Sequence, residues 1–331
     1  MKVTFKILRQ NPQLNPQFQS YTLEVNPKNT ILECLNRIKW ELDGTLTFRK
    51  NCRNTICGSC GMKINGRSAL ACKENVAGEL GLNSLGGEEK NAEIIISPLN
   101  NMPVIKDLIV DMSGFWENLE KVEPYVSSRG RKIEEREFLQ SPEERKLLEQ
   151  TGNCILCGAC YSECNAVEVN DNFVGPHALA KSYRMVDDSR DSQREERLTK
   201  YNHTESGVWG CTRCYLCNEV CPMDVAPLDQ ITKIKGAILR RESAGSSTPV
   251  RHRKVLVDLV KKGGWVDERK FAVMVVGNYF RDLRGLLSLA PVGLKVLAAG
   301  KFPFCFEPSE GTQEVRSLIE TVQSFTEQMS E

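Results

Sequence analysis

The chain has 331 residues, of which 40% are hydrophobic and 26% charged, which is enough for about two globular domains. Its 44 basic and 43 acidic residues nearly cancel to a net charge of +1, so the chain as a whole has no field that would hold nucleic acid or an anionic membrane. Met1–Lys6 is charged and is not followed by the apolar segment of a signal peptide. The sequence contains no apolar run of about 18 residues, so no transmembrane helix is predicted. We therefore expect a cytoplasmic chain whose partners bind local patches.

Residues 1–105 predict a small β-rich domain. Two stretches of alternating apolar residues indicate a hairpin, a capping box starts a helix, an Asn-Gly turn makes a second hairpin, and a last strand follows. These segments are, in order, Val3–Ile7, Tyr21–Val25, Thr30–Trp40, Met62–Arg67 and Ala92–Ser97. Their order predicts a β-grasp fold.

Residues 106–242 predict a mostly α-helical domain. A helix starts at Ser141 and ends near Gly152, and Pro176 and Pro227 each open a further helix after a cysteine group. The predicted fold class is therefore α+β, with metal-binding loops that connect helices in the second domain.

Residues 243–331 predict a helical C-terminal extension. The segment Ser243–Pro249 is typical of a flexible linker, and beyond it an apolar face lies opposite a basic one. The apolar residues are Val255, Leu256, Leu259 and Val260. The basic residues are Arg251, Arg253, Lys254 and Lys261. We expect the apolar face to pack onto the preceding domain; docking to a partner subunit is the alternative.

Fourteen cysteines are many for a cytoplasmic chain, in which disulfides are rare and cysteine groups bind metals or act in catalysis. The first group has the spacing C-x4-C-x2-C with a distant fourth cysteine, which is typical of a plant-type 2Fe–2S site. Gly58, Ser59 and Gly61 are small enough to let backbone N–H groups approach the cluster sulfides. Zinc is the alternative, because four thiolates also suit it. The predicted ligands are Cys52, Cys57, Cys60 and Cys72.

The other two groups are copies of one motif, C-x2-C-x2-C-x3-C. In two-cluster ferredoxins the fourth cysteine of each run binds the other cluster, so we predict crossed ligation of two 4Fe–4S clusters. The first set is Cys154, Cys157, Cys160 and Cys221; the second is Cys211, Cys214, Cys217 and Cys164. Only Cys221 is followed by proline.

The remaining candidate residues predict no catalytic site. Cys34 and Cys305 lie outside the groups, and we expect both to pack in a core. His177, His203 and His252 have no ligand spacing, so solvent exposure or packing at a helix cap is expected. No glycine-rich phosphate loop follows a strand, and no nucleophile can be paired with a base. The chemistry predicted is electron transfer, without a substrate-converting site.

Several stretches resemble the iron–sulfur subunit of succinate dehydrogenase and fumarate reductase. They are Leu46–Arg53, Ile56–Gly66, Leu70–Cys72, Gly175–Arg184, Asp188–Asp191 and Glu196–Leu198. The resemblance spans roughly residues 1–240, and the extension beyond is similar to iron–sulfur subunits of heterodisulfide-reductase type.

The resemblance implies a peripheral subunit on the cytoplasmic side of a prokaryotic membrane, in the tricarboxylic acid cycle or the respiratory chain. Electrons would pass between the FAD of a flavoprotein subunit and a quinone pool. The chain would reach that pool through a membrane-anchor or cysteine-rich peripheral subunit, and no nucleic acid partner is implied.

Two departures from the usual member concern the third cluster. The usual last group lacks one cysteine and holds a 3Fe–4S cluster, whereas four thiols here predict 4Fe–4S, with 3Fe–4S as the alternative. The usual quinone-site tryptophan and histidine are also missing, because Asn165–Glu168 contains no tryptophan and Thr212 follows Cys211. We expect electrons to leave into another subunit.

Two other functions compete with this interpretation. One is an iron–sulfur subunit of another flavin-linked dehydrogenase or of a heterodisulfide-reductase-like complex. The other is a zinc-stapled scaffold without a redox role.

Overall fold

The structure is a computed structural model that describes residues 1–82, 92–131, 137–242, 247–301 and 305–328. It divides into two compact units, Met1–Ala237 and Ile238–Glu331. Strands occupy the beginning of the first unit and helices the rest of the described chain, so the α+β class is confirmed.

Five strands of the first unit form one mixed sheet in the order β2-β1-β5-β3-β4. In it β1 and β5 are parallel, with Phe5 opposite Ile94, and the other pairs are antiparallel. Two further strands, β6 and β7, form a separate hairpin. The strands are β1 (Lys2–Asn11), β2 (Leu14–Glu24), β3 (Gly61–Ile64), β4 (Arg67–Leu70), β5 (Glu93–Ser97), β6 (Val104–Lys106) and β7 (Ile109–Val110). The sheet has the predicted β-grasp order.

One helix, α1 (Ile31–Arg37), packs on this sheet and continues into a π-helical turn over Ile38–Leu42. The Thr30 hydroxyl accepts a hydrogen bond from the Glu33 N–H at 3.2 Å, and the Glu33 carboxylate accepts one from the Thr30 N–H at 2.8 Å. This is the predicted capping box, which satisfies two N–H groups that a helix start leaves unpaired. The predicted inward face of β1 is also confirmed, because Val3, Phe5 and Ile7 are fully buried.

The rest of the first unit is helical. The helices are α2 (Val76–Glu79), α3 (Ser113–Glu120), α4 (Pro142–Gly152), α5 (Ala159–Ser162), α6 (Asn165–Val169), α7 (Gly175–Val186), α8 (Arg194–Tyr201), α9 (Leu216–Glu219) and α10 (Pro227–Arg241). The predicted starts are confirmed: Ser141 caps α4, and Pro176 and Pro227 lie in the first turns of α7 and α10.

Hydrogen bonds and an ion pair connect the sheet, mainly through its edge strand β4, to the helical part. Ser68 is fully buried, and both its N–H and its hydroxyl donate to the Glu163 carboxylate, at 3.0 and 2.6 Å. The Lys63 ammonium lies 3.3 Å from the same carboxylate. Because Glu163 precedes Cys164, these bonds fix a sheet edge against a cysteine-bearing segment.

The second unit begins within α10 and contains α11 (Thr248–Gly263), α12 (Glu268–Val275), α13 (Leu283–Ala298) and α14 (Thr312–Gln328). Val255 and Leu259, from the predicted apolar face of α11, are buried together with Val275 of α12. Part of the predicted linker, residues 243–246, lies outside the described residues. None of the described helices combines the length and hydropathy needed to cross a bilayer.

The predicted basic face of α11 is wrong at Arg251, which is 7% exposed. Its Nε donates to the Val275 carbonyl oxygen at 2.9 Å, and its Nη2 donates to the Thr248 hydroxyl at 2.9 Å. The guanidinium therefore satisfies a carbonyl at the end of α12, where helices leave such acceptors unpaired.

Candidate functional site

The first cysteine group lies on a loop that precedes β3, and Cys72 follows β4. Three N–H groups of this loop, from Asn54, Ile56 and Cys57, donate to the Cys52 sulfur at 3.3 to 3.4 Å. The Thr55 N–H donates to the Cys72 sulfur at 3.3 Å. Such donors stabilise negative charge on sulfur, which is what an iron-bound thiolate requires.

Several residues of this loop have left-handed backbone conformations, which turn its N–H groups toward the cysteine sulfurs. Arg53 and Thr55 have φ values of 58° and 57°, and Gly58 has φ 70°. Hydrogen bonds from Ser59 and from the Cys52 N–H outweigh burial and lower the pKa of Cys57 to about 6, whereas burial raises the pKa of Cys60 to about 12. Iron would hold both as thiolates, because its charge favours the deprotonated form.

Two glycines bring this loop against the second cysteine group. A Cβ on Gly58 would lie 2.9 Å from the Cys157 Cα, and one on Gly61 would lie 2.9 Å from the Cys157 carbonyl oxygen. Real Cβ atoms do not approach that closely, so the contact exists only because both residues are glycine. No side chain therefore separates the two cysteine loops at this point.

The second and third groups repeat one backbone conformation. Leu156 and Gly158 have φ values of 53° and 83°, and the corresponding Arg213 and Tyr215 have 61° and 73°. Gly158 and Tyr215 each stand at the start of a short helix, α5 or α9, that carries the third cysteine of the group. The sequence repeat is thus also a structural repeat.

The fourth cysteine of each run lies among the thiols of the other run. One cavity is lined by Cys221 together with Cys154, Cys157 and Cys160. Burial raises the pKa of Cys164, and the charges of Cys211 and Cys214 raise it further, which places Cys164 near that pair. The Val225 N–H donates to the Cys221 sulfur at 3.3 Å.

The three loops differ in how far they are open to solvent. Residues 52–54 and 56 of the first loop and residues 212–215 of the third are exposed, whereas no residue of the second loop, 154–160, is exposed. Side chains of Leu99, Met102 and Met112 lie around Gly158, within 3.5 Å of where its Cβ would be. The middle loop is therefore covered, and the other two reach the surface.

A lysine that no sequence motif predicts lies beside the first cysteine of each repeated loop; Lys235 is buried and Lys181 is half-buried. The Lys181 ammonium donates to the Thr151 carbonyl at 3.4 Å, and the Lys235 ammonium donates to the Cys211 carbonyl at 3.4 Å. Burial lowers the pKa of both lysines, while the charges of Cys154 and Cys211 oppose that shift. No sequence signal marks them, because the helices that carry them, α7 and α10, follow their loops at different distances.

His177 was expected to be exposed or packed at a helix cap, and it is buried near the start of α7. Its Nε2 donates to the Phe115 carbonyl at 2.9 Å, its ring stacks on Phe115, and its Nδ1 has no partner among the described residues. Burial lowers its pKa to about 3, so the imidazole is neutral. It also lines the cavity of Cys154 and Cys221.

The two cysteines outside the groups have different surroundings. Cys34 is fully buried in the β-grasp core, as predicted, and burial raises its pKa to about 11. Core packing is wrong for Cys305, which is exposed. Its neighbour Phe306 takes the inner position instead, packing against Gly263 and Trp265.

The donor set fits iron–sulfur clusters, since all twelve grouped cysteines are free thiols and the first loop supplies N–H donors to sulfur. Across the described residues, no three His, Cys, Asp or Glu side chains converge as a single-ion site.

Comparisons with known proteins agree with the geometry. A family model described as a 2Fe-2S iron-sulfur cluster binding domain matches residues 4–117, and one described as a 4Fe-4S dicluster domain matches residues 150–225. The chain is similar in fold to a chain of the Mycobacterium smegmatis Sdh1 complex, with TM-score 0.64 and 24% identity over 73% of this chain and 97% of that one.

Two relatives are similar in sequence over most of the chain. The mitochondrial succinate dehydrogenase [ubiquinone] iron-sulfur subunit 3 of Arabidopsis thaliana is 36% identical over 240 residues, 71% of this chain and 74% of that protein. The fumarate reductase iron-sulfur subunit of Escherichia coli is 34% identical over 232 residues, 70% of this chain and 90% of that protein. The chain belongs to the family of iron–sulfur subunits of succinate dehydrogenase and fumarate reductase.

Proposed function

We propose that this chain relays electrons between the FAD of a flavoprotein subunit and a quinone pool or another acceptor, within a succinate dehydrogenase or fumarate reductase complex. The contact of Gly58 and Gly61 with Cys157 carries the proposal, because no side chain separates the two cysteine loops at that point. Electron tunnelling weakens steeply with distance, so a direct backbone contact between two loops favours a relay.

The proposed ligands form three sets of four. A 2Fe–2S cluster is held by Cys52, Cys57, Cys60 and Cys72; one 4Fe–4S cluster by Cys154, Cys157, Cys160 and Cys221; a second by Cys211, Cys214, Cys217 and Cys164. The shared cavity of the second set and the charges around Cys164 support the crossed assignment. When bound, the clusters supply one-electron chemistry with little bond rearrangement.

The exposure of the loops supports an order of redox partners along the chain. The flavoprotein docks at the open first loop, around Cys52, and the other redox partner at the open third loop, around Cys214, while the covered second loop insulates the middle of the path. The receiving subunit is a membrane anchor or a cysteine-rich peripheral protein. The complex lies on the cytoplasmic side of a prokaryotic membrane.

The third cluster is proposed to be 4Fe–4S, because the last set offers four thiols rather than three. By function the chain divides into a 2Fe–2S domain at residues 1–105, a two-cluster domain at 106–242 and an extension at 243–331.

Anaerobic purification of the full chain tests these assignments. We expect iron and acid-labile sulfide in amounts that fit one 2Fe–2S and two 4Fe–4S clusters, with reduced-state electron paramagnetic resonance signals from each. A strong 3Fe–4S signal in the oxidised protein would overturn the type of the third cluster. A colourless zinc protein would overturn the relay itself.

A further inference from the structure

Helix α13 is an apolar helix with no buried residue. Its sequence, LRGLLSLAPVGLKVLA, contains two charged side chains, and the segment from residue 283 to 298 lies at the surface of the second unit. A helix of this hydropathy would normally be buried, so the exposure needs an explanation.

Four exposed leucines of this helix form one stripe, while Val292, which is 61% exposed, lies on the opposite side. Leu283, Leu287, Leu294 and Leu297 fall within about 80° of arc, since successive helical residues are turned by about 100°. They are 69%, 72%, 67% and 48% exposed. We call these four residues the leucine stripe.

The helix is held in place by a different face. Leu286 lies against Gly277, so closely that a Cβ on that glycine could not fit, and the Val276 carbonyl lies next to Gly285. Leu286, Leu289 and Val296 are accordingly half-buried. The leucine stripe is thus presented outward by a helix that is already packed.

The charges around the stripe are nearly all positive. Arg284 and Lys295 lie together on the flank of α13, Arg281 precedes the helix and Lys301 follows it, and all four are exposed. The one acidic residue from 281 to 301 is Asp282, whose carboxylate is engaged by the Gly285 N–H at 2.8 Å as the helix cap. This pattern differs from α14, where the exposed Leu318 and Val322 share a helix with three glutamates and one arginine.

We propose that α13 lies in the surface of an anionic phospholipid bilayer, with the leucine stripe at the boundary of the acyl chains and the four cations at lipid phosphates. Wide apolar faces flanked by Lys and Arg, without acidic residues, are typical of helices that lie in the membrane plane. The near-zero net charge of the whole chain does not oppose this, because surface attraction acts within about a Debye length. The proposal goes beyond the electron relay and stands or falls without it.

Flotation of the full-length, cluster-loaded chain with vesicles tests it. We expect binding to phosphatidylcholine vesicles that contain phosphatidylglycerol and at least tenfold weaker binding to phosphatidylcholine alone. The variant Leu287→Glu/Leu294→Glu should lose more than about 100-fold in affinity, because two anchors are replaced by anions. The variant Arg284→Gln/Lys295→Gln should lose roughly 25-fold.

The matched control is Leu318→Glu on α14, since Leu318 is 66% exposed and Leu294 is 67% exposed. It should bind vesicles as the unchanged chain does. Failure of the unchanged chain to float with anionic vesicles, or equal binding by the Leu287→Glu/Leu294→Glu variant, would overturn the proposal. Self-association of the chain through the leucine stripe in the absence of lipid would also overturn it. In size-exclusion chromatography the unchanged chain would then elute as a larger species than the Leu287→Glu/Leu294→Glu variant.

Discussion

The two repeated cysteine loops have the same backbone conformation and opposite surroundings. Gly158 and Tyr215 occupy equivalent left-handed positions, yet methionine and leucine side chains surround the first while the second is 51% exposed. A left-handed backbone favours glycine, so Tyr215 keeps a conformational cost that Gly158 avoids. Ligand geometry thus determines the backbone conformation of such a loop, and the residues packed over the loop determine which side chains it tolerates.

The largest contrast is expected when one cysteine is removed from each loop. Cys160→Ala should abolish the covered cluster and lower the free energy of unfolding by about 4 kcal/mol or more, because a metal site and a buried core are lost together. Cys214→Ala, at the exposed loop, should leave three thiols and yield an oxidised 3Fe–4S signal. Iron content, electron paramagnetic resonance and denaturation measure both variants. Equal losses of iron and of unfolding free energy in the two variants would contradict the expected difference.

The contact between the first and second loops should not accommodate a Cβ atom at its glycines. Gly61→Ala is expected to cost about 1–3 kcal/mol of unfolding free energy, since its Cβ would overlap the Cys157 carbonyl oxygen. It should also slow the equilibration of electrons between the first two clusters after rapid reduction. Gly114→Ala is the matched control, because nothing lies within 4 Å of a Cβ there; the contact would be unimportant if both variants behaved alike.

Exchanging residue types at the equivalent positions isolates the backbone effect. Gly158→Ala should lower the free energy of unfolding by about 1–2 kcal/mol, and Tyr215→Gly should raise it by about 0.5 kcal/mol, as relief of the left-handed strain slightly exceeds the entropy cost of glycine. Anaerobic denaturant titrations followed by circular dichroism measure the difference. Destabilisation of similar size in both variants would mean that Tyr215 is held by packing.

The smallest effects should come from the paired lysines. Removing a positive charge disfavours the added electron, so Lys181→Met should lower the reduction potential of the 4Fe–4S cluster of the second loop, and Lys235→Met that of the third. Each shift should be roughly 40 mV, which for one electron corresponds to about 1 kcal/mol. Redox titration followed by paramagnetic resonance assigns the shifts. Equal shifts of both potentials by either substitution would contradict the assignment of one lysine to each cluster.

Local signals in the sequence predicted most of the fold. Alternating residues such as Val3 and Phe5, the capping box at Thr30 and the helix starts at Ser141 and Pro227 depend on near neighbours. The sequence alone is therefore sufficient to locate them. The cysteine groups were found in the same way, from spacing.

What depends on contacts between distant segments was not predictable. Arg251 has the pattern of a surface cation but bonds to the end of α12, and Cys305 has aromatic neighbours but lies outside the core. The cover over Gly158 and the lysines beside the loops likewise come from residues far away in the chain. Spacing identifies a ligand set; it carries no information on what surrounds it.

The close contact of Gly58 and Gly61 with Cys157 limits which domains from other proteins could replace either half of this chain. A β-grasp ferredoxin taken from another protein would need glycine at both places, and a partner loop with the Cys157 backbone in the same position, before the halves could close. The two halves are therefore expected to be inherited as a matched pair, and a chimaera that replaces one of them should fail at this junction even when every cysteine is retained.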